Sequence, residues 1–294
     1  VKQAPANDVV LTYMERESSL KGTESDVENM VLLHGFSANK DNWIKFTHAL
    51  DEKYRVIAVD LAGHGDSEKL MTTNYDLIKQ AERLDALLSG FEVDSFHLAG
   101  NSMGGAISAI YSLTYPQKVK SLNLIDAAGV DGDTPSEYYN MLAEGKNPLI
   151  AHDEESFNFR MDFTMSQPVF LPWPLRPALM RQTLAREEIN TKIFQDMLAT
   201  KERMQISSFE QKIKELSTQY NIPTLIMWGD EDRVLDVSAA AAFKKLIPPL
   251  ANSDYLQKEK DRLACMIKYG MTEKIVVNGV DYKGVMGAAD HLSD

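Results

Sequence analysis

The sequence predicts an α/β protein with a mostly parallel sheet flanked by helices. Short apolar segments at 30–33 and 55–59 each end in a glycine-containing turn, and strand-like and helical segments alternate after them. Alternation of this kind builds a parallel sheet, because each helix carries the chain back to the edge where the next strand begins. The pattern changes to polar helices over 129–221, which predicts an inserted helical cap.

Each later element has its own local signal. The stretch 75–88 places Ile78, Ala81, Leu84, Leu87 and Leu88 on one helical face. The remaining segments are, in chain order, a strand at 95–99, a turn at 100–104, a helix of small residues to Tyr115, and strands at 121–125 and 223–228, followed by an alanine-rich helix at 237–246. We therefore predict a core formed by 1–128 and 222–248, a cap or lid at 129–221, and an atypical tail at 249–294.

Composition and charge exclude several classes of protein. The 294 residues are 44% hydrophobic and 25% charged, which is typical of a globular rather than a disordered chain. A net charge of −12 argues against binding to nucleic acid or to an anionic membrane. The single cysteine, Cys265, excludes an internal disulfide and a cysteine-rich zinc site. We expect no metal, no organic cofactor and no obligate protein partner.

The longest uncharged stretch, 95–117, has the length of a membrane span, but its glycine, serine and asparagine residues make it too polar for one. We interpret it as a buried strand followed by a buried helix. The chain begins at Val1 rather than at a methionine, so membrane association is expected only if an upstream anchor has been removed. The predicted location stays open between the cytoplasm and export.

A strand-to-helix turn carries the strongest chemical signal. Gly100-Asn101-Ser102-Met103-Gly104 has the Gly-x-Ser-x-Gly spacing of a nucleophile elbow and lies between a predicted strand and a predicted helix. Such a turn exposes the serine hydroxyl, and the start of the following helix stabilises developing negative charge. Ser102 is the predicted nucleophile, and the alternative is a glycine turn with an idle serine.

A tetrahedral intermediate needs two hydrogen-bond donors for its oxyanion. The predicted donors are the backbone amide of Met103 and that of Phe36, which follows an earlier strand in the run His34-Gly35-Phe36. We interpret His34 as a structural residue, because in enzymes with a nucleophile elbow the base follows the acid along the chain. His64 and His97 are also interpreted as structural.

The triad acid is expected at the end of a later strand. Trp228-Gly229-Asp230-Glu231-Asp232-Arg233-Val234 supplies three carboxylates there, and Asp232 is the preferred one. Asp126, which ends the preceding strand, is the alternative, because triads are defined by geometry and not by position in the sequence. A turn-capping aspartate explains either residue without catalysis.

Three separated motifs give the chain a family resemblance. Residues 28–248 resemble the α/β-hydrolase fold lipases and esterases, in particular the monoacylglycerol-lipase-like branch that reads His-Gly-Phe-Ser-Ala-x-Lys-Asp-x-Trp, here 34–43. The other two motifs are 96–105, around the elbow, and 228–238, around the acid. The resemblance implies Ser102 as nucleophile, Asp232 as triad acid and a helical cap over an acyl pocket. In that context the apolar stretch 169–179, with Phe170 and Trp173, is expected either to contact the acyl chain or to pack within the cap.

The tail departs from the family pattern, which places the base on a Gly-x-Gly-His turn after one more strand. Residues 249–294 instead resemble the later part of a small c-type cytochrome domain, in which the residue matching Met286 is an axial haem ligand, yet the Cys-x-x-Cys-His attachment motif is absent. His291 is the only histidine after Asp232. It is the predicted base if the tail folds back with 275–277 as the last strand.

The leading hypothesis is a serine hydrolase of carboxylic esters, acting on a small-molecule ester or acylglycerol through Ser102, His291 and Asp232. A second hypothesis is hydrolysis of carbon–carbon bonds in ring-cleavage products, which uses the same constellation. A third is a hydrolase scaffold without activity that binds a small ligand, since the family's histidine turn is missing.

Overall fold

A seven-stranded, mostly parallel sheet organises the computed structural model, which describes residues 1–19, 27–166, 171–204, 206–247, 275–277 and 280–282. The strands are β1 (Lys2–Ala6), β2 (Val9–Arg16), β3 (Glu28–Leu33), β4 (Tyr54–Val59), β5 (Phe96–Asn101), β6 (Val119–Ile125) and β7 (Thr224–Met227). Their spatial order is β1-β2-β4-β3-β5-β6-β7. Strands β3 to β7 run parallel, whereas β2 is antiparallel to both β1 and β4.

Helices flank this sheet and fill the connection between β6 and β7. The helices of the core are α1 (Ile44–Ala49), α2 (Leu77–Ser89), α3 (Met103–Thr114) and α10 (Ser238–Leu246). The helices between β6 and β7 are α4 (Glu137–Ala143), α5 (Glu154–Phe163), α6 (Leu175–Leu184), α7 (Glu187–Met204), α8 (Ile206–Ile213) and α9 (Glu215–Thr218). The α/β class with a mostly parallel sheet is confirmed. The division into core, cap and tail remains a prediction.

Local chemistry explains where α2 begins and which face it buries. The Asp76 side chain accepts a hydrogen bond from the Lys79 N–H and so caps the first turn. One face of the helix is apolar and buried, and it also carries Arg83, whose guanidinium makes a bidentate pair with Asp8 at 2.7 and 2.9 Å. This pair ties α2 to the turn between β1 and β2.

The antiparallel hairpin formed by β1 and β2 is absent from the sequence-based prediction. Neither strand shows a regular alternation of polar and apolar residues that would mark it in the sequence. The turn residue Asn7 has a φ of 58°. An asparagine adopts this left-handed conformation more readily than most residues, which favours a tight turn here. The hairpin adds two strands beside β4 and leaves the ends of β3, β5, β6 and β7 to form the site.

The tail contains β8 (Ile275–Val277) and β9 (Val280–Tyr282), which pair with each other as an antiparallel two-stranded sheet. The expectation that 275–277 would extend the main sheet is therefore wrong. A nearby segment of the tail supplies its partner, which requires a far shorter loop than pairing with β7. Cys265, Met286 and His291 lie outside the described residues. No helix in the described ranges has the length and apolar character needed to cross a bilayer.

Candidate active site

Three parallel neighbouring strands end in register and bring the predicted catalytic loops to one edge of the sheet. Asn101 of β5 pairs with Ile125 of β6, which in turn pairs with Met227 of β7. The residues that follow directly, Ser102 and Asp126, lie on adjacent strands, which are about 5 Å apart in a sheet. Ser102, Asp126 and the loop carrying Asp232 are therefore gathered at the carboxyl ends of the strands, where ligands bind in open α/β sheets.

Ser102 has the strained backbone of a nucleophile elbow, with φ 53° and ψ −118°. A non-glycine residue in such a conformation costs about 1–3 kcal/mol and needs support from its surroundings. The Ser102 N–H donates to the Ile125 carbonyl at 2.9 Å, and its carbonyl accepts from the N–H groups of Gly105, Ala106 and Ala128 at 2.9, 3.2 and 3.0 Å. This backbone network holds the turn in place.

The glycines of the elbow are required by close backbone contacts. A methyl group at Gly100 would lie 2.2 Å from the Gly104 carbonyl oxygen, and one at Gly104 would lie 2.5 Å from the carbonyl oxygens of Leu33 and His34. These contacts let α3 begin directly against the ends of β3 and β5. The sequence signal at 100–104 thus has a steric cause in the structure.

The proposed oxyanion donors lie next to the serine. A methyl group at Gly35 would be 3.1 Å from the Ser102 Cβ, so the loop after β3 touches the elbow. Within the described chain, neither the Phe36 N–H nor the Met103 N–H donates to a protein acceptor. Met103 begins α3, whose first N–H groups have no partner inside the helix. Two amide donors beside the serine hydroxyl are what an oxyanion hole requires.

Both ring nitrogens of His34 are engaged by the backbone. Its Nε2 accepts from the Leu61 N–H at 3.1 Å, so its Nδ1 carries the proton and donates to the Gly35 carbonyl at 2.7 Å. Burial lowers the His34 pKa to about 4, which keeps the ring neutral. His34 therefore links the loop after β3 to the loop after β4.

The other described histidines contact other groups or are exposed. His64 is fully buried and its Nδ1 lies 3.2 Å from the Ala62 carbonyl, while His97 contacts the Ser121 hydroxyl at 2.7 Å. His48 and His152 are exposed. No histidine among the residues that the structure describes hydrogen-bonds to the Ser102 hydroxyl. The predicted base, His291, lies outside those residues.

The two candidate acids differ in their hydrogen bonds. Asp232 Oδ1 accepts from the N–H groups of Val234 and Leu235 at 2.8 and 3.0 Å, and these bonds oppose the rise in its pKa caused by burial. Asp126 accepts one N–H, that of Gly229, at 2.7 Å. Burial, with a smaller contribution from the charge of Asp232, raises the Asp126 pKa to about 6. Asp232 thus has the stronger hydrogen-bond support for its charge.

An apolar cavity of about 130 Å³ lies against the elbow. Two of its lining residues, Ala106 and Ala128, donate their N–H groups to the Ser102 carbonyl. The rest of the lining comes from α2, α3, α4, α7, α8 and the loop after β6, and is formed by Leu77, Ile110, Gly129, Asp131, Tyr139, Met197, Leu198, Thr200 and Phe209. Most of these side chains are apolar, so the cavity suits a hydrocarbon chain.

Trp173, expected either to contact an acyl chain or to pack within the cap, is not among the residues that line this cavity. Trp173 is 85% exposed, between α5 and α6, and does not line the cavity. Its exposure differs from both expectations, because the cap helices that line the cavity are α4, α7 and α8, with α7 packed against α2 and α8 packed against α3. Phe170 lies outside the described residues.

Three cap residues that sequence reasoning did not single out contact the loops beside the elbow. Arg160 Nη2 lies 3.5 Å from the Ser37 carbonyl oxygen, Asn190 Nδ2 donates to the Ser37 hydroxyl at 3.0 Å, and Arg186 Nη2 donates to the Gly63 carbonyl at 3.2 Å. These partners are more than 120 residues apart in the sequence, so no local pattern could have indicated them. No group of three or more potential metal ligands occurs among the described histidine, cysteine, aspartate and glutamate residues.

Comparison with known proteins agrees with the fold. A family model described as alpha/beta hydrolase fold matches residues 28–259. The chain is 35% identical over 223 residues to Lipase 3 of Moraxella sp. strain TA144, covering 75% of this chain and 68% of that protein. It is 28% identical over 238 residues to Monoacylglycerol lipase ABHD6 of Rattus norvegicus, covering 78% and 68% of the two chains.

Solved structures give the same result at the level of the backbone. The structure of a membrane phospholipase A, a bacterial virulence factor, superposes with a TM-score of 0.76 at 37% identity, covering 84% of this chain and 75% of that one. A meta-cleavage product hydrolase from Pseudomonas fluorescens superposes with a TM-score of 0.62 at 22% identity, covering 91% and 96%. The second similarity shows the fold alone.

Proposed function

The chain belongs to the α/β-hydrolase fold family and is a carboxylic ester hydrolase, and we propose that it cleaves acylglycerol-like esters through an acyl-enzyme on Ser102. The observation that carries the proposal is the left-handed Ser102 between β5 and α3, flanked by the free amides of Phe36 and Met103. A nucleophile beside two unengaged donors suits acyl transfer, because the negative charge develops on the carbonyl oxygen they face.

In the proposed reaction the Ser102 hydroxyl oxygen bonds to the ester carbonyl carbon while a base takes its proton. The amides of Phe36 and Met103 hold the resulting oxyanion. When the carbonyl re-forms, the alcohol leaves with that proton, and a water molecule then releases the acid by the same route. No metal or cofactor takes part in these steps.

His291 is the proposed base and Asp232 the residue that orients it. The described histidines either contact other groups or are exposed, and His291 is the only histidine that follows Asp232 in the sequence. A base that follows the acid has the chain order of this family. Asp232 is preferred to Asp126 because two N–H groups stabilise its ionised form.

The cavity against the elbow is the proposed acyl pocket. Two of its lining residues, Ala106 and Ala128, donate hydrogen bonds to the Ser102 carbonyl, so an acyl chain bound in it would lie beside the elbow. Similarity to lipases and to monoacylglycerol lipases supports fatty acyl esters as the substrate class. The alternative of a binding scaffold without activity predicts that Ser102 is unreactive.

Labelling and turnover test the proposal together. We expect a fluorophosphonate probe to label the wild-type protein and p-nitrophenyl esters to be hydrolysed, because both need an activated serine. Ser102→Ala should lose both signals and keep the fold. His291→Ala should lower turnover by at least 10³-fold, whereas His152→Ala, at an exposed histidine, serves as the matched control.

A wild-type protein that is neither labelled nor active would favour the scaffold. Activity that survives Ser102→Ala would contradict the assignment of the nucleophile. Full activity in His291→Ala would leave the nucleophile in place and remove the proposed base.

A further inference from the structure

We propose that Arg160 and Arg186 of the cap form a binding subsite for an anionic group, phosphate or carboxylate, on the alcohol half of the ester substrate. This inference rests on the proposed function and narrows its substrate class. Arg160 belongs to α5, and Arg186 lies in the short link between α6 and α7. The Arg160 guanidinium contacts the loop that follows β3, at the Ser37 carbonyl, and the Arg186 guanidinium contacts the loop that follows β4, at the Gly63 carbonyl.

The first observation is that both positive charges are partly buried without a counter-ion. No described carboxylate oxygen lies within 4.0 Å of either guanidinium. The Nε atom of each arginine is buried and has no hydrogen-bond partner. Burial lowers the pKa of both side chains, and the charge of Arg186 lowers that of Arg160 further. Both residues also lie near Ser37: Arg160 Nη2 is 3.5 Å from its carbonyl oxygen, and Arg186 precedes by one helical turn Asn190, which donates to its hydroxyl. Two partly buried cations on these adjoining loops are unfavourable without a counter-ion, and an anionic ligand would remove that cost.

The nearest acids are already committed to another cation. Asp60 accepts from the backbone N–H groups of Lys40 and Asp66 and lies 3.2 Å from the Lys40 ammonium. Asp66 pairs with the same ammonium at 2.8 Å. Their charges reach Arg186 only at longer range, where they oppose the effect of its burial. The two arginines therefore keep donors for a further acceptor.

The second observation is where these donors are. Arg160 reaches the carbonyl of Ser37, the residue directly after the proposed oxyanion donor Phe36. Arg186 bonds to the carbonyl of Gly63, next to the buried His64, whose ring packs edge-on against the Phe36 ring. The subsite thus borders the loop that would hold the reacting carbonyl oxygen. A group bound there would belong to the substrate and lie a few bonds from the ester.

The apolar cavity indicates which half of the substrate would carry the anionic group. Its walls are mostly hydrocarbon, and an acyl chain in it leaves no need for charged partners. The arginines come from other segments, α5 and the link before α7, and approach the elbow through the loops after β3 and β4. The alcohol half of the ester is therefore the part that would face them, as it does in an acyl glycerol phosphate.

Matched esters test this inference. We would measure kcat/KM for monolauroylglycerol, monolauroylglycerol phosphate and the monolauroyl ester of glyceric acid, which differ only in the charge and type of the terminal group. The variants are Arg160→Gln, Arg186→Gln and Arg186→Lys, with Arg181→Gln, at an exposed arginine of α6, as control. Calorimetry of glycerol phosphate and of glycerol binding to Ser102→Ala protein gives a readout independent of turnover.

We expect the wild-type protein to prefer at least one anionic ester. Arg186→Gln and Arg160→Gln should each lower the ratio of anionic to neutral kcat/KM at least tenfold, because each variant loses a charge-assisted hydrogen bond to the anion. Arg186→Lys should retain part of the ratio, and Arg181→Gln should retain all of it. A preference for the phosphate or for the carboxylate ester identifies the source of the anion. Thermal midpoints no lower than wild type establish that the glutamine variants fold.

The possible failures are distinguishable. If the neutral ester is cleaved and the ratio is the same in all variants, the subsite is refuted and the proposed function stands. If no ester is cleaved, the proposed function fails, and calorimetry alone then tests the subsite. Binding of glycerol phosphate that is abolished by Arg186→Gln supports the subsite. Binding that is unaffected by Arg186→Gln overturns it.

Discussion

Asn190 of α7 donates a hydrogen bond from Nδ2 to the hydroxyl of Ser37, at 3.0 Å, and so joins a cap helix to the loop that carries Phe36. Ser37 has a φ of 57°, a left-handed conformation that few serines adopt. The contact therefore restrains a strained residue one position after a proposed oxyanion donor. A displacement of α7 would therefore shift the Phe36 amide.

This relationship predicts that Asn190→Ala lowers kcat/KM by about three- to tenfold and destabilises the protein by about 1 kcal/mol, because the buried Ser37 contact is lost. Enzyme kinetics and urea unfolding would measure the two effects. Gln195→Ala, at an exposed position of the same helix, is the control. An Asn190→Ala protein with wild-type kinetics would show that the cap does not position the loop.

The elbow predicts a strong steric effect at Gly104. Gly104→Ala should destabilise the protein by about 2 kcal/mol or more and lower activity, because the new methyl group would meet two backbone carbonyl oxygens at 2.5 Å. Gly90→Ala is the matched control, since Gly90 has an ordinary φ of −65° and its nearest contact would be 3.3 Å. Equal stability of the two variants in urea would contradict the steric account.

The raised pKa of Asp126 predicts a pH-dependent stability. Because folding raises the Asp126 pKa from 3.8 to about 6, the native state is penalised as pH rises through this range and carries the full penalty above pH 6. Asp126→Asn keeps the acceptor for the Gly229 N–H and removes the charge. We expect it to be more stable than wild type by about 2 kcal/mol at pH 7.5, with a smaller difference at pH 4.5.

Thermal unfolding at the two pH values would measure this effect, and turnover would separate the roles of the acids. Asp232→Asn should lower kcat by about 10⁴-fold if Asp232 orients the base, whereas Asp126→Asn should retain most of the activity. The reverse pattern of activity would assign the triad acid to Asp126.

The cavity predicts a dependence on acyl length. Ala128→Leu should lower kcat/KM for decanoate esters about tenfold more than for acetate, because the larger side chain occupies space for about two methylene groups, each worth about 0.8 kcal/mol. Ala178→Leu, at an exposed alanine of α6, is the control. A uniform loss across the ester series would indicate distortion of the elbow rather than a blocked pocket.

The exposure of Trp173 predicts that this residue has little influence on acyl-length preference. Trp173 is 85% exposed and does not line the cavity, so Trp173→Ser should leave the ratio of long to short ester hydrolysis within about twofold of wild type. Initial rates on monomeric p-nitrophenyl esters would measure this ratio. A selective loss of long esters would return Trp173 to the acyl-binding residues.

The sequence predicted correctly those features whose pattern and physical cause lie within one short segment. The apolar runs became β3 and β4, and the amphipathic stretch at 75–88 became α2. The elbow was recognisable because the glycines that the close contacts require are adjacent in the sequence to Ser102. Strand order then placed Asp126 and the Asp232 loop beside it, as parallel topology requires.

The features that sequence reasoning missed depend on packing between distant segments. Arg160, Arg186 and Asn190 meet the loops after β3 and β4 only because the cap helices lie over them. The acyl cavity has the same origin, since its walls come from six different elements. The pairing of β8 was misjudged because three apolar residues do not specify which strand they join.

The conformation of Ser102 lowers the stability of the fold, whereas the proposed activity requires its side chain. Glycine adopts a φ of 53° without the cost that serine bears, so Ser102→Gly should unfold at a higher denaturant concentration than wild type while it loses the nucleophile. Selection for thermal robustness alone would therefore remove this serine. A serine at this position therefore indicates selection for catalysis. An engineering programme that raises the melting temperature would need to keep residue 102 unchanged.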